Sequence, residues 1–449
     1  MGTAEKSSDL SPFSIPNIRL FIAFRVFFNS RFYYPVFTVL FLDFGLTLAQ
    51  FSILNAVWAA TIVLAEVPSG ALADIMGRKR LLVFAASIMV VEVGIISFVP
   101  RSHVSIVFWV FLVNRILSGL AEAAASGADE AIAYDSLAAE GDPEQWGRIL
   151  EILMRFQSVG FIISMALGAA VYDPALVDRV CSFLGADLGI TQAITMRFPL
   201  YLTFALALLA LAATLKMKDP GTGKDSARSR EMKPAQAFGL TLAAGLWILK
   251  TPFAMTVILF GMLFDGLIRV VITLSSQYYR VIDLPESLFG IMGSMVALLG
   301  LVIPKIARKI AENRPPSHAL WITAGLAATG LLTMNLFWPY AGVIPALITF
   351  SAMYFTGFFV SFYLNRAASS DQRATVLSFK GLSYNISYGL LGLLYAVLLK
   401  TGKQGMQGPG LEDRVFMDTF AWFPGTFAAG FLLCLALFFI WLRKAGPEI

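Results

Sequence analysis

The stretch GALADIMGRKR, Gly70–Arg80, lies between two long apolar runs and carries two glycines, an aspartate and three consecutive basic residues. Whether those charges face water or lipid decides the fold, so composition comes next. A soluble domain is about a quarter charged and roughly half apolar, whereas this chain of 449 residues is 57% hydrophobic and 14% charged. A polar shell cannot cover that much apolar surface. The chain reads as an all-α, polytopic membrane protein. Two cysteines, Cys181 and Cys434, are too few for a disulfide framework.

A membrane-crossing helix needs about 20 mostly apolar residues. Twelve runs meet this, at roughly 18–42, 47–72, 81–100, 104–127, 148–172, 197–217, 252–280, 286–304, 318–338, 341–365, 374–400 and 416–442. The polar start MGTAEKSSDLSPFSIP has no signal-peptide pattern and reads as a cytosolic tail. With that end inside, the cytosolic face collects 21 of the 34 Lys and Arg residues and the outer face 7. This bias sets both termini inside. The net charge of +5 is thus a topology signal, and no nucleic-acid partner is expected. The Gly-, Ser- and Lys-rich segment at 218–250 reads as a cytosolic linker. It separates a six-helix bundle at 1–217 from a second at 251–449.

GALADIMGRKR then falls on the cytosolic face between spans two and three. A degenerate copy, GLVIPKIARK, occurs between spans eight and nine, where Gly300, Arg308 and Lys309 repeat Gly70, Arg78 and Lys79 at a shift of 230 residues. GRILE (Gly147–Glu151) and QRATV (Gln372–Val376) open spans five and eleven as a second echo. The loop and its repeat resemble the signature of the major facilitator superfamily. The loop is nearest to that of the drug–proton antiporters, although SVGFIISMALGAAV in span five lacks their Gly-Pro pair. The resemblance implies two pseudo-symmetric bundles that transport a small molecule by alternating access. It also implies a cytosolic gate in which Arg78 pairs with acidic residues at the inner end of span four. Here those are Asp129 and Glu130, with Asp74 beside them and Gly70 and Gly77 allowing close approach.

Charge at membrane depth is rare and marks function. In span four Arg115, Glu122 and Asp129 are seven apart and share a face within about 40°. Arg115 needs a carboxylate, with Glu122 or Glu66 the candidates. Glu66 precedes Pro68, which loosens the helix there. In span seven Asp265 and Arg269 are spaced for an intrahelical pair. Glu92 in span three has no evident mate, and Arg25 is close enough to the inner interface to snorkel. Asp265, Glu66, Arg115 and Glu122 are therefore the proton-coupling candidates. Asn29, Arg31, Tyr34, Arg269, Gln277, Tyr354, Asn365, Lys380 and Tyr384 are candidates for the substrate cavity.

The sequence offers no metal constellation, phosphate loop or nucleophile–base pair, so neither an enzyme nor a cofactor is expected. The expectation is a monomeric carrier in the bacterial inner membrane, with a small-molecule substrate, protons and the lipid bilayer as partners. Efflux of an amphipathic, drug-like compound fits the loop signature. The mid-membrane arginines fit transport of an organic anion instead.

Overall fold

The structure is a computed structural model of the chain. It describes residues 11–101, 103–186, 189–218, 248, 251–367, 373–404, 406, 408 and 410–445, without the side chains of 67, 70–75, 373–375, 378 and 441–445. Helix is the only regular structure among the described residues. The longer helices are α1 (Pro16–Asn29), α2 (Phe37–Asp43), α3 (Leu48–Met76), α4 (Arg78–Ser97), α5 (Val104–Ala125), α6 (Ala128–Glu140), α7 (Trp146–Tyr172), α8 (Pro174–Phe183), α9 (Gln192–Thr195) and α10 (Phe198–Lys216). They continue with α11 (Pro252–Thr273), α12 (Ser275–Val281), α13 (Phe289–Asn313), α14 (Pro316–Met334), α15 (Val343–Ala367), α16 (Arg373–Gly402), α17 (Leu411–Phe420) and α18 (Trp422–Ala445).

Ten runs among the described residues are long and apolar enough to cross a membrane. The other two expected spans take a different form. Span one is interrupted: α1 ends at Asn29 and helix resumes only at Tyr34–Val36 and in α2. Pro35 explains the break, because it has no N–H to donate and restricts Tyr34 before it. Span nine is α14, whose length suffices but whose Ser317, His318 and several threonines dilute its apolar character. Elsewhere the membrane character is plain. Leu298, Leu301 and Val302 of α13 and Leu393, Leu394 and Val397 of α16 are all exposed, a surface that soluble chains avoid.

The chain forms two compact units. The first holds residues up to Val36 together with Thr61–Ala237. In it α4 packs between α5 and α10, and α1 packs on α7 and α10. Its core includes Phe21, Phe24, Phe28, Met89, Leu137 and Leu153. Polar ties close the bundle at its ends. Asn17 donates to Ser136 Oγ and to the Lys218 carbonyl, both at 2.8 Å, and accepts from the Lys218 amide. Arg197 donates to the carbonyls of Ser97 and Val99, each at 2.6 Å, which caps the end of α4.

The second unit holds Phe37–Ala60 and the chain from Phe238 onward. Here α11 packs against α15, α16 and α18, and α15 also covers α13 and α14. Its α2 is held by hydrogen bonds from the Thr38 and Val39 amides to Ser276 Oγ. Arg280 grips Asp43 through two bonds of 3.0 Å and Glu286 through Nε at 3.1 Å. The linker expected at 218–250 lies, apart from Lys218 and Ile248, outside the described residues.

Helices approach most closely where a glycine removes the side chain. A Cβ on Gly168 of α7 would run into the Phe32 carbonyl, and one on Gly330 of α14 would meet the backbone and hydroxyl of Thr349. Gly325 faces open space. Gly168→Ala and Gly330→Ala should therefore each cost about 1–3 kcal/mol of stability, with Gly325→Ala unchanged or slightly stabilised. Thermal melting of the purified protein in detergent checks this, and equal melting for all three variants would refute the packing.

Candidate functional site: two buried charge clusters

The first unit carries a cluster that begins at the break in span one. Arg31 sits in the non-helical turn after α1 and is 3% exposed. Its guanidinium pairs with Glu92 of α4, which is fully buried. Arg31 also donates to the Tyr33 hydroxyl at 3.3 Å and lies 5.7 Å over the Phe28 ring. Glu92 in turn accepts from Asn114 of α5, whose side chain also reaches the Glu92 carbonyl at 2.8 Å. Arg115 joins through Nε to Asn114 Oδ1 at 3.2 Å. Glu92 is thus the hub, and its mate is Arg31. Arg115 meets its neighbour Asn114, while Glu122, one heptad along, is exposed.

The second unit carries its own cluster between α11 and α16. Asp265 is 4% exposed and pairs with Arg269 one turn along. Arg269 donates to Asn385 Oδ1 at 2.9 Å and lies 5.5 Å over the Tyr388 ring. Lys380 stands 5.8 Å over the ring of Tyr384, a cation–π distance. The buried Tyr384 hydroxyl has no hydrogen-bond partner. It presses on Gly261, where a Cβ would collide with it. Asp265, Arg269, Lys380 and Tyr384 are therefore neighbours, as the spacing of spans seven and eleven did not reveal.

On the basic face the pairing differs from the expected Asp74–Arg78–Asp129 cluster. Gly77 turns the chain between α3 and α4 with φ +86°, a conformation that favours glycine. Arg78 then opens α4, where a cation opposes the helix dipole. It pairs instead with Asp135 of α6 and donates to the Ala131 carbonyl at 3.1 Å. Asp129, 1% exposed, is taken by Arg25 at 3.0 Å, and Arg25 reaches Glu130 at 3.1 Å. The reason is that the chain does not leave helix for long after span four. Gly127, at φ +76°, makes a turn, and α6 continues to Glu140 with Asp135 on it. Arg25 is tied down rather than snorkelling. Arg78 and Asp135 are each about a third exposed, so their bond contributes under about 1 kcal/mol. Gly70 and Asp74 belong to α3, but their surroundings lie outside the described side chains.

The remaining candidates are scattered. Glu66 is half-buried with no ion pair among the described residues. Asn29 is half-buried, and Tyr34 is exposed and edge-on to Tyr33 at 5.3 Å. Gln277 is fully buried and donates to Asp413 at 2.5 Å, leaving its Oε1 without a partner. Tyr354 lies against Gly300 of α13. Asn365 donates to the Ser361 carbonyl at 2.8 Å, within its own helix. Sequence reasoning missed Asn114, Asp135 and Asn385 as partners. The recurrence of Ile132, Ala133, Ser136 and Leu137 on one face, at helical spacing, was the available signal that helix resumes past Gly127.

A profile described as the Major Facilitator Superfamily matches residues 19–392. Among solved structures, that of the nucleoside transporter NupG is similar over 96% of this chain and 99% of its own, with 14% identity and a TM-score of 0.70. A bacterial homolog of the human lysosomal transporter Spinster gives 16% identity and a TM-score of 0.68, with 96% of each chain covered. A D-xylose–proton symporter gives 16% identity and a TM-score of 0.62, covering 94% of this chain and 96% of that one. These likenesses are of fold. No curated protein sequence matches this one.

Removing one member of a buried pair strands the other in apolar surroundings, at about 3–5 kcal/mol. Glu92→Gln and Arg31→Met should each show that loss, while Arg31→Met/Glu92→Leu should recover most of it. The double-mutant cycle, read by melting in detergent, should be strongly non-additive; additive losses would mean that the pair does not form.

Proposed function

We propose that this chain, which belongs to the major facilitator superfamily, is a proton-coupled exporter of an amphipathic, drug-like compound, with Asp265 as its proton site. Membership makes it a multi-pass, non-enzymatic membrane transporter of a small molecule. Proton coupling, direction and substrate are the proposal. In the same reading the chain is a monomer of the bacterial inner membrane with twelve spans and both termini cytosolic. Two bundles, 1–217 and 251–449, rock about the linker at 218–250, and the Gly77–Arg80 turn, fastened by Arg78 to Asp135, belongs to the cytosolic gate.

The observation that supports this most is the position of Asp265. It is a buried carboxylate in the body of a span, with one arginine as its salt-bridge partner and a lysine nearby. Protonation of Asp265 removes its hold on Arg269, which keeps only Asn385 and the Tyr388 face. A proton thereby becomes a change in which side chains α11 and α16 share. The Arg31–Glu92 pair, by contrast, is enclosed by Asn114 and Tyr33 and suits a structural brace. The loop resemblance supports efflux.

A second reading has its own observation. Arg269 and Lys380 place two positive charges beside one carboxylate, so the cluster carries a surplus positive charge that an organic anion could meet.

Transport by inverted membrane vesicles separates these readings. For efflux, a lumen-acid gradient should drive accumulation of a fluorescent cationic dye, and Asp265→Asn should reduce it to the level of empty vesicles. Asp265→Asn accumulating dye like the unmutated protein would overturn the assignment. For the anion reading, cationic dye should be ignored, and Lys380→Met should raise KM for an organic anion about tenfold, as expected for one lost charge-assisted contact.

A further inference from the structure

Within the second unit, α11, α14, α15 and α18 enclose a cavity of about 290 Å3 that takes no part in the proposed proton site. Phe253, Phe260, Phe264, Trp321, Phe359 and Phe438 are among its walls. Its threonines do not make it polar. Thr256, Thr323 and Thr356 each donate back to a carbonyl of their own helix, at 2.8, 2.8 and 2.7 Å. The cavity opens sideways, where Trp321 and Phe439 are more than half exposed. Apolar cavities of this kind stay dry and accept apolar groups.

At one end the character changes. A second cavity, of about 450 Å3, shares Phe253, Pro316 and Tyr363 with the first and is lined by Glu312, Asn313, Arg314 and Arg366. Glu312 has a distant partner in Arg308 at 3.9 Å, and Asn313 donates to the Lys309 carbonyl. Among the described residues neither Arg314 nor Arg366 has a carboxylate within salt-bridge distance. Between the two cavities stands Tyr363, 6% exposed, with a buried hydroxyl that has no hydrogen-bond partner. A buried hydroxyl left without a partner is costly and calls for an acceptor.

A greasy slot open to the side, a free donor at its mouth and two guanidiniums beyond, unpaired among the described residues, describe the two ends of an amphiphile with an anionic head. We propose that this is a binding site for an anionic phospholipid of the surrounding bilayer. One acyl chain fills the aromatic cavity. The phosphate is held by Arg314 and Arg366 and accepts a hydrogen bond from Tyr363. A guanidinium fork suits phosphate geometry, and basic pockets between membrane helices bind such headgroups. The slot has room for a single chain, and its lateral opening leaves the second chain in the bilayer.

The test uses the full chain in phosphatidylcholine nanodiscs doped with phosphatidylglycerol that bears a photoactivatable diazirine on one acyl chain. Peptide mapping should place adducts on Phe253–Phe264 and 435–439. Arg314→Gln/Arg366→Gln should lower them about tenfold, and Arg314→Lys/Arg366→Lys should restore part of the yield. Thr256→Trp, which fills the slot, should abolish them. The arginine substitutions lie on an exposed loop and helix end, so they keep the test informative if the tryptophan variant does not fold. The proposal fails if a phosphatidylcholine probe labels the same peptides equally well, or if a diazirine fatty acid labels them and the phosphatidylglycerol probe does not. It fails too if adducts spread evenly over the lipid-facing helices.

Discussion

A charge carried into an apolar slab must find a counter-charge there, and the structure is organised around how this chain meets that requirement. Water cannot supply the compensation, so each buried ion depends on another side chain and its hydrogen bonds. Glu92 shows the result most clearly. It is fully buried, yet it is met by a guanidinium from one helix end and an amide from the neighbouring helix. Such an arrangement ties α4 to α5 and to the turn after α1. The break at Ser30–Tyr33 is part of the same arrangement, since Arg31 meets Glu92 from outside the helix.

The long apolar runs were legible because bilayer thickness sets their length directly. The loop between the second and third was legible because three consecutive basic residues, Arg78–Arg80, have no place inside a span. The partners of the buried charges were not, and the reason is geometric. Spacing along one sequence reports neighbours on one helix, so Asp265 with Arg269 could be read at once. Pairs across helices depend on rotation and depth, which spacing does not carry. Spacing along a single face offers Glu122 for Arg115, with Glu66 the other candidate, whereas Arg115 meets Asn114 and Glu122 is exposed. The Arg78 pairing differs for a similar reason: a span that ends at residue 127 offers Asp129 and Glu130, whereas helix resumes in α6 and carries Asp135.

The two clusters also differ in what they permit. Around Glu92 the donors number more than one, Arg31 in the turn after α1 and Asn114 of α5, so the carboxylate ties together separate segments of the chain. Around Asp265 the ion pair is made within one turn of α11, and the contact to α16 runs through Arg269. A change at Asp265 therefore reaches α16 through Arg269, and Lys380 of that helix is also close to the carboxylate. Neutral amide and aromatic groups, Asn385 and Tyr388, are what Arg269 has left to bind.

Charge balance then bears on the substrate. With Asp265 ionised, Lys380 and Arg269 leave the second cluster one positive charge in surplus, and that surplus is softened by the faces of Tyr384 and Tyr388 rather than by a second carboxylate. Aromatic faces attract cations only weakly compared with a carboxylate. A cationic substrate and the protonated form of Asp265 would thus raise the local positive charge together, which opposes their simultaneous occupancy. That mutual exclusion is the condition exchange of a proton for a cation requires. An anion, by contrast, would be favoured most when Asp265 is protonated, which is the condition for movement in the same direction as the proton. With Asp265 as the proposed proton site, this carboxylate would suit exchange or co-transport according to the sign of the cargo.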